Sequence, residues 1–348
     1  MKIFFYICAV IVVILLVMLV IPYLNGDAKY EEGVYGIESD FSSLLVNSTD
    51  GDIILLPSLD GECRIEVYKS GIYGFSSEVK DGSLNIDFQK RAVWYAHISI
   101  GFKSPEIKIY LPRTAYDSLT VKADTGDIQI PESFAFATVD VDVSTGDVEY
   151  AARESASVKI SASTGDITLS GANVSGDITV GVSTGDIKVT ETAAEGAVTL
   201  AASTGKIDIT SLNAESLAIS TSSGDVTVTD TAISGNITQS IRTGETKFRA
   251  VSCVGLTTDG TTGDLALESF NAKDSINVTR DTGDVTFTDA DAGEITVKTS
   301  TGNVTGNLSS SKIFIVKTNS GKINVPESTE GGKCKITTTT GKIIITTP

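Results

Sequence analysis

Only one histidine, His97, and one tryptophan, Trp94, occur in 348 residues. A Ser-His-Asp or Cys-His arrangement therefore has a single candidate base, in Trp94-Tyr95-Ala96-His97-Ile98, and no Gly-x-Ser-x-Gly lies nearby in sequence. Glycine-rich phosphate loops of either common pattern are absent. Four cysteines (Cys8, Cys63, Cys253 and Cys334) with no Cys-x-x-Cys are too few for a disulfide framework or a zinc site, and they read as single thiols. Bases are scarce as well: 27 Lys and Arg stand against 44 Asp and Glu, a net charge of −17. Phosphate contacts need cations, so nucleic acid is excluded as a partner. No proline lies between Pro131 and Pro326, as is required where every strand donates hydrogen bonds along a sheet.

What the chain has instead is a phrase, Ser-Thr-Gly-Asp-Ile, repeated with small variations. Its glycines are Gly126, Gly146, Gly165, Gly185, Gly205, Gly224, Gly244, Gly263, Gly283, Gly302, Gly321 and Gly341, twelve in all and always 19 or 20 residues apart. Two positions after the glycine stand Ile128, Val148, Ile167 and their equivalents, with Thr246 the one polar exception. Seven before it all are apolar, from Leu119 through Phe314 to Cys334. Alternation with period 2 and β-branched residues gives two short strands per repeat, each with one inward face. The parity slips at the Thr-Gly step, so the chain bends there, where glycine accepts φ > 0.

A unit of about 20 residues cannot bury its own apolar face and must stack on the next copy. The fold class is all-β: a parallel β-solenoid, with the right hand favoured for parallel crossovers. Twelve coils ~4.8 Å apart make a rod on the order of 55–60 Å long. Propeller blades need about 40 residues each, and sandwiches lack a strict period.

Residues Ile3 to Ile21 carry no charge and are nearly all aliphatic or aromatic, close to the ~20 residues that a bilayer core requires. With Lys2 as the only early cation and no small-residue cleavage site, residues 1–24 read as an uncleaved signal anchor, the remainder lying outside the cell membrane. Residues 25–34 form a linker, 35–115 an irregular β cap or first coils, and 116–348 the regular solenoid. Most aromatics, among them Tyr68, Tyr73, Phe75, Phe88 and Tyr110, crowd into the cap.

The strand ending in Leu111-Pro112, then Asp117-Ser118-Leu119-Thr120-Val121 and Thr125-Gly126-Asp127-Ile128, followed by Thr-Gly-Asp-Ile repeats behind an apolar N-terminus, resembles a family of bacterial β-strand-repeat proteins. The family is of unknown function and labelled putative adhesin, and the resemblance covers residues 35–348. It implies a solenoid at the cell envelope, in some members alongside envelope-stress signalling components. No catalytic residues are established in the family, so none are transferred and no cofactor is implied.

Three features could carry function. The residue after each glycine forms a column, acidic in eight of twelve copies, with Asp127, Asp147, Asp166 and Asp186 unbroken. Asp after Gly is ordinary turn chemistry, and cation binding along the column is the sharper reading. Trp94 and Tyr95 point to opposite faces if they lie on a strand. With Lys90 and Arg91 they form a candidate contact patch for a wall glycan or an envelope protein. Finally, the last strand, Gly341 to Thr346, reads as an open end, blunted by Lys333, Lys335 and Lys342. The conclusion is a membrane-anchored, non-catalytic envelope scaffold or adhesin-like protein. A carbohydrate-active enzyme on the same solenoid is the alternative, and carboxylates gathered in a cleft at one coil level would favour it.

Overall fold

Each repeat closes one coil of a parallel β-solenoid, and the corner glycine shows why the period is rigid. In the computed structural model, which describes residues 30–91 and 104–348, a Cβ on any of the twelve glycines would lie 1.9–2.1 Å from the carbonyl oxygen of the glycine one coil back. Eleven of them also hold φ between +129° and +158°, a region closed to L side chains. Coils therefore nest glycine on glycine. The glycine N–H donates to the carbonyl before the next glycine, as from Gly126 to Thr145 at 2.9 Å.

The position seven before the glycine is an unbroken inward column. Leu119, Val139, Val158, Ile178 and their successors to Ile295, with Cys334, are all 3% exposed or less. The cross-section has three sides rather than the two read from the pattern. Six residues after the glycine, Gly171, Glu191, Ser211, Asp230, Ala250, Ser269 and Asp289 adopt left-handed φ of 48–65° in seven successive coils. That corner flips the inward parity, so that positions +7 and +9 point inside, Leu212 and Ala214 for example.

Among the described residues 29 strands form one continuous sheet, numbered β1 to β29 in chain order. Stacking order departs from chain order at both ends. Strands β2 (Ser43–Ser48) and β3 (Asp52–Pro57) stack in parallel on β8 (Ala115–Thr125) and β9 (Ile128–Ile130), with Gly51 taking a place in the glycine column. On their other side lie β6 (Ser83–Lys90) and β7 (Glu106–Leu111), which come later in the chain. Antiparallel β5 (Tyr73–Lys80) then covers β6, while β4 (Cys63–Ser70) covers β7 and is itself covered by β1 (Tyr30–Ile37). The aromatic-rich segment thus supplies coils as well as a cap.

At the far end, β28 (Gly332–Thr340) pairs with β24 (Val285–Thr301) on one side and with β26 (Lys312–Ser320) on the other. The same holds for β29 (Ile343–Thr346) between β25 (Val304–Leu308) and β27 (Ile323–Asn324). The open coil is therefore that of Gly321, not the last in sequence. The expectation for Gly341–Thr346 is corrected: that strand has neighbours on both sides. No helix among the described residues is long and apolar enough to cross a membrane, and Ile3–Ile21 lies outside them.

Candidate functional site

The third side of the coil carries a furrow. Its floor is one column of the stack, eight places after the glycine from Glu154 to Ser252 and nine after Gly126 at Ala135. In register across successive coils run Ala115, Ala135, Glu154, Asn173, Ala193, Asn213, Ala232 and Ser252. Small side chains there leave a trough between the corners on either side. One reach, of about 730 Å³, runs from Asn173 to Ser252, and the other, of about 440 Å³, from Ala115 to Ser175. The two share Asn173 and Glu195, so they are continuous. Seven coil steps at ~4.8 Å make the furrow roughly 34 Å long.

Its polar groups are amides, hydroxyls and carboxylates: Asn173 and Asn213, Ser175 and Ser234, Glu154, Glu195 and Glu215. Among the described residues no Lys or Arg lines it. Beneath the lower reach the buried Tyr150 hydroxyl and Ser155 Oγ are 2.6 Å apart, and burial pushes the Tyr150 phenol up to about 12. The three carboxylates, Glu154, Glu195 and Glu215, lie on different coils and are not gathered at a single level. Ala, Asn and Ser in a column carry no motif, so sequence reasoning missed the furrow. The available signal was the recurrence of small residues, Asn173, Ala193, Asn213, Ala232 and Ser252, eight places after five successive glycines.

The aspartate column is a hydrogen-bonded ladder between coils. Oδ1 of Asp52 accepts the backbone N–H of Asp127 at 3.0 Å, and the series continues from Asp127 to Asp147, Asp147 to Asp166, and Asp166 to Asp186 at 2.7–2.9 Å. Asp186 caps Lys206, and Asn303 keeps the geometry without charge by accepting from Lys342. The turn chemistry read from Gly-Asp is thus directed at the following coil, not at the aspartate's own turn. Among the described residues no three His, Cys, Asp or Glu side chains are grouped to hold a metal ion.

Of the contact patch, Trp94 and Tyr95 lie outside the described residues, as does His97. Lys90 ends β6 and Arg91 follows it, both with exposed side chains. Their backbone N–H groups donate to Thr49 Oγ1 and to the Ile72 carbonyl. Cys63, Cys253 and Cys334 are free and buried, and burial raises their thiols to about 11, 12 and 12.

The Toastrack DUF4097 family model matches residues 41–251, 175–285 and 209–348. The chain belongs to that family. Its fold is similar to a putative adhesin (BF0245) from Bacteroides fragilis NCTC 9343, at 20% identity over 69% of this chain and 98% of that one, with a TM-score of 0.42. A putative adhesin from Parabacteroides distasonis ATCC 8503 overlaps at 16% identity, covering 90% and 98%, with a TM-score of 0.32. A putative lipid binding protein from the same strain overlaps at 13% identity, covering 79% and 94%, also at 0.32. No curated protein matches the chain.

Proposed function

We propose that this Toastrack chain is a non-catalytic binding scaffold of the cell envelope, held at the membrane by residues 1–24, whose furrow receives an extended polymer. The observation that carries the reading is the furrow's continuity across coils. A trough roughly 34 Å long suits a chain-like ligand better than a compact one. Carboxylates and amides without cations suit a neutral or amine-bearing polymer, such as a wall glycan, and repel a polyanion.

The test is co-sedimentation of the detergent-solubilised full chain with purified cell-wall sacculi. Ala193→Trp with Ala232→Trp fills the furrow at half-buried and exposed positions, so the melting curve should hold while co-sedimentation is lost. Equal sedimentation of variant and parent would overturn the reading. No reducing sugar should be released on incubation with the sacculi; release would show an enzyme.

A further inference from the structure

The Gly321 coil, Lys312 to Val325, is an unfinished stacking interface. Elsewhere the glycine of one coil and the residue two beyond it donate to the next coil, as Gly126 donates to the Thr145 carbonyl and Ile128 to the Asp147 carbonyl. Gly341 and Ile343 donate to Ser320 and Lys322 in the same way, but among the described residues no such bond leaves Gly321 or Ile323. The inward positions of this coil are uncovered. Phe314, Val316 and Val325 are only half-buried, and Ile323 is 43% exposed, beside the outward Ile315 at 52%.

The electrostatics change sign at the same place. Residues 116–302 hold 28 acids and 11 bases, whereas 303–348 hold 2 acids and 6 bases. The ladder column itself, followed in stacking order, passes from Asp284 to Asn303, then Lys342, then Lys322. Exposed Lys317 stands four places before Gly321 on the outer face of β26.

We propose that this end is a strand acceptor: an extended acidic segment of a partner protein adds to β26 and β27 as one more coil. Backbone carbonyls of the arriving strand meet the Gly321 and Ile323 N–H groups, its alternate aliphatic residues cover Phe314, Val316 and Ile323, and its carboxylates face Lys317 and Lys322. Edge addition draws affinity from main-chain bonds and selectivity from alternate side chains. Opposite charge sets which strand is admitted.

The chain's own body supplies a probe. A peptide copying Val139 to Tyr150 carries Val139, Val141, Val143, Val148 and Tyr150 at the inward positions and acids at Asp140, Asp142, Asp147 and Glu149. In coil register Asp142 falls beside Lys317 and Asp147 beside Lys322. Its Thr145 and Asp147 carbonyls are the ones that accept from Gly126 and Ile128 in the native stack.

The experiment measures fluorescence anisotropy of the labelled peptide with the detergent-solubilised full chain. The acidic peptide should bind at least tenfold more tightly than a version with its four acids replaced by lysine. Lys317→Glu with Lys322→Glu should invert that preference, and Ile323→Asp should abolish binding of both. No binding, equal binding of the two peptides, or a preference unmoved by the charge reversal would overturn the proposal. Sedimentation velocity of the chain alone settles the rival occupant: end-to-end dimers lost in Ile323→Asp would make a second copy the partner and overturn it too. None of these outcomes depends on the furrow.

Discussion

The most informative perturbation lies inside the rod, where a buried cation breaks the apolar rule. Arg280 is 1% exposed, three places before Gly283, in a column that elsewhere holds uncharged side chains, aliphatic at Ala162, Val182, Ala202 and Ile241 and threonine at Thr221, Thr299 and Thr338. Its Nη2 donates to Thr258 Oγ1 at 3.1 Å and to Thr246 Oγ1 at 3.4 Å, while Nε and Nη1 have no partner among the described residues. Burial lowers the guanidinium from 12.5 to about 10, against a partial pull upward from the carboxylates of Asp259 and Asp264. At ~1.4 kcal/mol per pH unit that is roughly 3 kcal/mol against folding. The sign follows from linkage: the unfolded chain holds this proton more tightly, so the penalty is complete below about pH 10 and fades only above it. The guanidinium fits because its neighbour in the column is Gly260, where a Cβ would lie 1.8 Å from Nη1. Gly260→Ala alone should therefore destabilise by ~2–4 kcal/mol, since the enclosed arginine has no route to solvent. Arg280→Val removes the unpaired charge but leaves the space above Gly260 unfilled, so its gain should be small. The double variant rebuilds the Ala and Val column found in other coils and should exceed the parent by ~1–3 kcal/mol. Gln239 still bonds Thr246 and Thr258, so no new polar orphan is made. Urea midpoints give the double-mutant cycle, and hydrogen exchange in the coils of Gly244 to Gly283 localises it, because long repeat arrays need not unfold in one step. A Gly260→Ala variant as stable as the parent, or a double variant no better than Gly260→Ala, would refute the reasoning.

In the ladder, Asp147→Ala should cost ~0.5–1.5 kcal/mol by orphaning the Asp166 N–H. Asp147→Asn should be neutral or stabilising in urea, because it keeps the acceptor and removes repulsions of ~0.9 kcal/mol per neighbour at water's dielectric. Calcium at matched ionic strength should raise the melting temperature no more than sodium chloride does; a larger shift would show that the column binds cations. Lys312, 4% exposed, pairs with Asp291 at 2.6 Å and ties the open coil to the body. Although burial raises the Asp291 carboxyl, its bonds to Lys312 and Ser310 hold it below 3.8 overall. Its contribution is therefore full above pH 3.8 and lost as pH falls further, and amides of Ile313 to Val325 should exchange faster there, as in Lys312→Met at neutral pH. The full chain should pellet with membranes, and protease outside protoplasts should digest it beyond about residue 30; protection would sink the anchor.

Much of the fold was legible because glycine is irreplaceable at the corner. A Cβ there meets a carbonyl, so Gly126 and its eleven equivalents print the coil length directly into the sequence. The second corner left no such mark. Its left-handed residue is Glu191 in one coil and Ala250 in another, and the strain is modest enough for the stack to impose. The only trace was the parity change between Ile209 and Leu212, both buried although they are three positions apart. Of the candidate site, the aspartate column was visible, but its bond to the next coil needs the stacking that pattern alone omits. The furrow was missed because the only mark of its floor is a recurrence of small side chains, which carries no motif.

Stacking order was illegible for a deeper reason: every coil offers its neighbours the same Thr-Gly carbonyls and N–H groups, so backbone bonding scarcely distinguishes one order from another. Side chains must decide. Gly306 occupies an inward slot that is apolar in other coils, with a Cβ forbidden by the Phe287 carbonyl at 1.8 Å. In the observed order that slot faces Ile345, 1% exposed, and in chain order it would face the smaller Val325. Likewise Cys334, fully buried, lies between Ile295 and Phe314, which leaves the bulky ring at the half-open end instead of confined between two coils. Small side chains inside and large ones at the edge favour the exchange, since overpacking costs energy only where neighbours cannot yield. The exchange also covers Ile343 and Ile345 and leaves the Gly321 coil on the edge of the sheet, where Lys317 and Lys322 stand beside the exposed Ile315 and Ile323.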